Sequence, residues 1–112
     1  MHVPYHHDAG HGWLAVPLES CEGLPISSYS FHGLAYWTDT KAPGREDGYA
    51  PGARVAYLEE DCDARLWWER EKAAGRTLVP CSVYHDGDAF VRFLPRFAGT
   101  ESFSLSELEG AE

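Results

Sequence analysis

The stretch Val55-Ala56-Tyr57-Leu58-Glu59-Glu60-Asp61-Cys62-Asp63-Ala64-Arg65-Leu66-Trp67-Trp68-Glu69-Arg70-Glu71-Lys72-Ala73-Ala74-Gly75 decides how the chain folds. Val55 to Leu58 is apolar on both alternating faces, the pattern expected of a central strand. From about 62 to 74 the residues favour one principal helix. Asp61 is the expected N-cap, Asp63 sits where the helix dipole favours an acid, and Gly75 suits the left-handed position beyond the last turn. On a helical wheel Ala64, Trp67, Trp68 and Ala74 share one face, while Cys62, Leu66 and Ala73 lie nearly opposite. One helix rarely buries both faces, so it is expected to be sandwiched or to leave a tryptophan exposed as an interface anchor.

Upstream, Trp13 to Val16 precedes Pro17 and reads as a strand, Glu19 to Pro25 as a turn, and Ile26 to Phe31 with Leu34 to Thr38 as one hairpin or one bent strand. Residues 1–12 carry four histidines and no apolar period, which predicts an irregular His-rich N-terminal arm. Asp39 to Gly52 reads as a long loop, a segment length that contact surfaces often use. Downstream, Asp86-Gly87 between Thr77–Tyr84 and Ala89–Phe97 predicts a hairpin with His85 facing Asp88, Val83 facing Phe90 and Val79 facing Leu94. Pro80 and Pro95 place it at a sheet edge. Residues from about 99 to 112 read as an acidic, partly ordered tail. The expected whole is a single α+β domain over 1–112, with a mostly antiparallel sheet of about five strands packed against the one helix.

Nine Lys and Arg against 18 Asp and Glu give a net charge of -9 over 112 residues. Such a chain is repelled by phosphate backbones and anionic lipid heads, so no direct nucleic-acid or membrane partner is expected. No apolar run approaches a membrane span and the N-terminus lacks the pattern of a signal peptide. Three unpaired cysteines suit a reducing compartment, and a cytoplasmic location is expected.

No catalytic constellation emerges. His6, His7 and His11 near Asp8 resemble a metal-binding tract but lack the spacing of a zinc site, so neither a metal nor another cofactor is expected. Cys81 and His85 stand too far apart on a strand for proton transfer. Glu59, Glu60, Asp61 and Asp63, with Asp86 and Asp88, could hold a divalent cation, which keeps a small metal-dependent hydrolase or nuclease as an alternative. The second half of the chain, Glu59 to Glu112, carries twelve acids against six bases. Carboxylates on a strand, a helix start and a turn can approximate the ~7 Å spacing of phosphates along a DNA strand, so an acidic protein can fill a basic DNA-binding groove.

His11-Gly12-Trp13-Leu14-Ala15-Val16-Pro17, Ile26 to Phe31 and Val55 to Ala64 together resemble small proteins encoded by bacteriophages and integrated mobile elements. That resemblance implies an anti-defence inhibitor, anti-CRISPR proteins foremost, acting by stoichiometric binding to a host CRISPR effector complex in the bacterial cytosol. The expected partner-binding residues are Glu59, Glu60, Asp61, Asp63, Glu69, Glu71, Asp86 and Asp88, with Trp67 or Trp68 and the loop residues Glu46, Asp47 and Tyr49 adding shape-specific contacts. A monomer is favoured; a regulatory dimer joined through exposed aromatics is a further alternative.

Overall fold

Val55 to Leu58 are buried without exception, and the strand that contains them lies inside the sheet as the sequence predicts. The computed structural model describes residues 1–36, 49, 50 and 52–109. Its strands are β1 (His2–His7), β2 (Gly12–Pro17), β3 (Phe31–Leu34), β4 (Arg54–Glu59) and β5 (Val79–Tyr84), in the order β3-β4-β2-β1-β5. Neighbours pair antiparallel except β1 and β5, which run parallel. The helices are α1 (Asp63–Ala73) and the short α2 (Leu105–Glu109), with 3₁₀ turns at Leu18–Cys21 and Phe90–Phe93. This is the expected α+β class, a five-stranded mixed sheet with one main helix.

The sheet is the middle layer. On one face Val3, Leu14, Val16, Ala56 and Leu58 pack under Ala64 and Trp67 of α1, together with Ile26, Phe97 and Phe103. On the other, Trp13, Ala15, Val55, Tyr57 and Phe31 pack under Ala89 and Val91. Two covered faces explain why β2 and β4 read as continuous apolar runs rather than alternating ones.

Four expectations are corrected. Residues 1–12 are no irregular arm: His2–His7 form β1, between β2 and β5. Polar imidazoles concealed a strand whose Val3 and His6 are fully buried on opposite faces, and whose parallel partner lies more than seventy positions away. The hairpin at Asp86-Gly87 does not form either. Gly87 makes its turn with φ 80°, but β5 pairs with β1, and Phe90–Phe93 coil into a 3₁₀ turn that closes the second core. None of the pairs His85–Asp88, Val83–Phe90 and Val79–Leu94 is therefore made, because the carboxylate of Asp8 captures the Ala89 N–H at 2.9 Å and redirects the chain.

Third, Ile26 to Phe31 and Leu34 do not make one hairpin or one bent strand: Phe31–Leu34 form β3, while Ile26 makes an isolated bridge with Thr100, and residues 37 and 38 lie outside the described residues. Fourth, Asp61 does not cap α1. The carboxylate of Glu59 accepts the N–H groups of Asp61 and Cys62 at 3.1 and 3.2 Å instead. At the other end Gly75 takes φ 89° as its position requires. The C-terminal segment is anchored by Phe103, buried in the helix-side core, whose N–H donates to the Leu24 carbonyl at 2.7 Å.

Candidate functional site

Strand register gathers several chain reversals at one end of the sheet. His7 lies opposite both Gly12 and Tyr84, and Trp13 lies opposite Glu59. The C-terminal ends of β1, β4 and β5 and the start of β2 therefore share that end. Glu59, Glu60 and Asp61 leave it from β4, and Asp86 and Asp88 leave it from β5. Three interstrand steps separate the two groups, roughly 14 Å.

The other expected contact residues are placed differently. Asp63 is buried at 3% exposure; it accepts the Ser27 N–H at 3.1 Å and the hydroxyls of Ser27 and Ser30 at 2.7 and 2.5 Å, so it clamps α1 to the 27–30 turn. Glu71 is buried against Arg76, 2.8 Å away. Trp67 is fully buried and its indole N–H donates to the Ser20 hydroxyl at 2.8 Å. These three belong to the core rather than to a contact surface. Trp68 is half-buried against that core. Tyr49 packs on the second core, its hydroxyl donating to the Ala15 carbonyl at 2.5 Å. Glu69 is exposed midway along α1, away from the sheet end. Glu46 and Asp47 lie outside the described residues.

Of the five acids at the sheet end, Asp61, Asp86 and Asp88 are exposed, while Glu59 and Glu60 are half-buried. Glu60 accepts the Tyr5 hydroxyl at 2.5 Å. Burial and that carboxylate push the Tyr5 phenol well above its ordinary range. As acceptors of these bonds, Glu59 and Glu60 have their side chains held in place.

Beside this acid end opens a cleft of about 730 Å³ whose lining includes Glu59 and Asp61 together with Arg92 and Arg96. Arg92 lies 5.3 Å over the Trp13 ring, and Arg96 lies 4.8 Å over Phe31. Arg92 also donates to both oxygens of Asp8, at 2.7 and 2.8 Å. That pairing holds the Asp8 carboxyl far below the usual carboxylate range and raises the Arg92 guanidinium. Arg92 is thus neutralised internally, whereas the Arg96 guanidinium donates to the Ser28 carbonyl at 3.1 Å. Reading the sequence for acids alone overlooked these two arginines; the available signal was the pair Phe-Val-Arg-Phe and Pro-Arg-Phe, two arginines beside aromatics.

The histidine tract is divided by its own strand. His6 and His7 project to opposite faces, and Asp8 is committed to Arg92. Nδ1 of His6 lies 2.9 Å from Nε2 of His85, within a ring cluster that includes Tyr36, Tyr57 and Phe90. That contact needs one ring nitrogen with a proton and one without. His7 bonds the Ser82 hydroxyl at 2.5 Å. Among the described residues no group of three or more His, Cys, Asp or Glu is arranged to hold a metal ion.

The class defined by these features is an α+β domain with an acid-rich sheet end beside an aromatic, arginine-bearing cleft. Comparison with protein-family models, curated proteins and solved structures finds no match to this chain. No helix among the described residues is long and apolar enough to cross a membrane.

Proposed function

We propose that this chain is an anti-defence inhibitor of bacteriophage type, which binds a host CRISPR effector complex stoichiometrically at a basic DNA-binding surface and performs no chemistry. One observation carries the reading: Glu59, Glu60, Asp61, Asp86 and Asp88 issue from a single end of a rigid sheet, in a chain of net charge -9. Two acid groups roughly 14 Å apart, with Glu59 and Glu60 fixed by hydrogen bonds, span about two phosphate steps of a DNA strand. Charge of this kind accelerates encounter with a cationic groove and makes binding sensitive to salt.

The test uses residues that carry charge without structural duty. Asp61→Lys with Asp86→Lys should weaken binding to a purified CRISPR effector complex at least about tenfold while the melting temperature stays unchanged. Wild-type protein should displace target DNA from that complex, with the effect fading as salt rises. Failure of the wild-type chain to displace DNA from representative effector complexes, or full binding by the double variant, overturns the reading. Glu59→Lys is unsuitable, because it also removes the acceptor of two N–H groups before α1.

A further inference from the structure

We infer that the free edge of β5 pairs antiparallel with β5 of a second copy of this chain, joining two sheets across a two-fold axis centred on Ser82. Val79 donates its N–H to Met1 and His85 donates to His7. Odd-numbered residues of β5 therefore turn their backbone groups towards β1, and Pro80, Ser82 and Tyr84 turn theirs outward. All three are exposed, and among the described residues nothing pairs with that outer edge. The opposite edge of the sheet is covered: His32 of β3 donates to the Pro95 carbonyl, and Phe31 bridges Arg96.

A six-residue edge without any charge is unusual, since edges are normally blunted by Lys, Glu, bulges or a covering segment. The Val79–Tyr84 strand has only Pro80. A proline with an outward-facing nitrogen removes one donor but leaves its carbonyl, which limits rather than forbids pairing.

With Ser82 opposite its own symmetry mate, each Ser82 N–H meets the other copy's Ser82 carbonyl. Each Tyr84 N–H meets a Pro80 carbonyl. The side-chain pairs are compatible too: exposed Tyr84 against Pro80, Val83 against Cys81, and exposed Val79 against His85. Charge selects a second copy as the occupant. Arg76, paired with Glu71 at 2.8 Å yet 60% exposed, stands before the strand; after it stand exposed Asp86 and exposed Asp88, the latter 3.9 Å from Arg92. The antiparallel two-fold brings the arginine of each copy against the aspartates of the other, twice over. Elsewhere, copies of a -9 chain repel one another. The association engages Asp86 and Asp88, two of the five acids of the binding reading above, and leaves Glu59, Glu60 and Asp61 open; Ser82→Pro tells the two apart, because it breaks the association and leaves all five acids in place.

Sedimentation velocity on the full chain, from about 10 μM to about 1 mM, covers the affinity range of a small edge-to-edge contact. A dimer whose fraction grows with concentration and that forms no larger species is expected. Ser82→Pro removes both central bonds and leaves the backbone ladder to β1, and it should weaken the dimer at least about tenfold, whereas Ser82→Ala, which loses the same hydroxyl contact to His7, should not. Pro80→Val restores the missing donor and should tighten it. Should Ser82→Pro fail to fold, Asp86→Arg is expected to weaken the dimer, because it turns a cation towards Arg76 of the other copy and leaves the Arg76–Glu71 and Arg92–Asp88 pairs in place. In the wild-type chain, amide exchange at Ser82 and Tyr84 should slow as concentration rises. A monomeric mass throughout the range overturns the inference, including the case in which another protein's strand uses this edge. So does a dimer in which those two amides stay unprotected.

Discussion

Arg92 closes a bidentate ion pair with Asp8 across 84 positions of sequence, and the same carboxylate accepts the N–H groups of Gly10, His11 and Ala89. It ties the β1–β2 turn to the segment after β5 and seats Arg92 on Trp13. Removing one partner of such a pair leaves the other stranded. Asp8→Asn should lower unfolding free energy by about 3 kcal/mol, measured by urea denaturation at neutral pH. Because the folded-state carboxyl is held far below its unfolded value, this stability is complete above the unfolded pKa and is lost as pH falls below it. Wild-type stability should therefore decline from about pH 5 downward, with a shallower decline in Asp8→Asn. Parallel pH profiles would show the assignment to be wrong.

Asp63 was an expected contact residue and is a buried clamp. Asp63→Ala leaves the Ser27 and Ser30 hydroxyls and the Ser27 N–H without their acceptor, and about 2–3 kcal/mol of stability should be lost. If denaturation midpoints match the wild type, the clamp carries no energy.

Gly12 is required by packing. A Cβ there would lie 1.9 Å from the Tyr5 hydroxyl oxygen and 2.3 Å from its ring, so Tyr5 would have to move and release Glu60. Gly12→Ala should cost about 2 kcal/mol and bring the Tyr5 phenol back towards its ordinary titration range. An ultraviolet titration of the tyrosines and a melting curve read both effects; an unaltered pair of curves contradicts the packing argument.

The cysteines should separate by reactivity. Burial pushes the Cys21 thiol up to about 12, whereas Cys62 is exposed at the start of α1. Native protein at pH 8 should label at Cys62 and spare Cys21 until denaturant is added. Labelling of Cys21 at the same rate without denaturant would mean that this core opens readily.

How much could be read in advance depended on how local each signal was. Val55 to Leu58 announced a buried strand, and the Trp-rich segment before Gly75 announced a helix, because periodicity and end chemistry act over a few residues. The acids at 59–61 were legible as charge. Their grouping with Asp86 and Asp88 was not, since it follows from β5 joining β1 in parallel. The hairpin expected at Asp86-Gly87 failed for the same reason: Gly87 takes a positive φ but Asp86 does not, and a carboxylate 81 positions upstream took the Ala89 N–H.

From the order of residues alone came the α+β class, the central strand, the helix with its glycine stop, and the acidic balance. Each is a one-dimensional property of composition or short-range period. Folding in three dimensions decided that the histidines build a strand, that Asp63, Glu71 and Trp67 serve the core, and that Arg92 answers Asp8. Those outcomes depend on which distant backbone groups and charges meet once both faces of the sheet are covered, where an unpaired polar atom is too costly to leave behind.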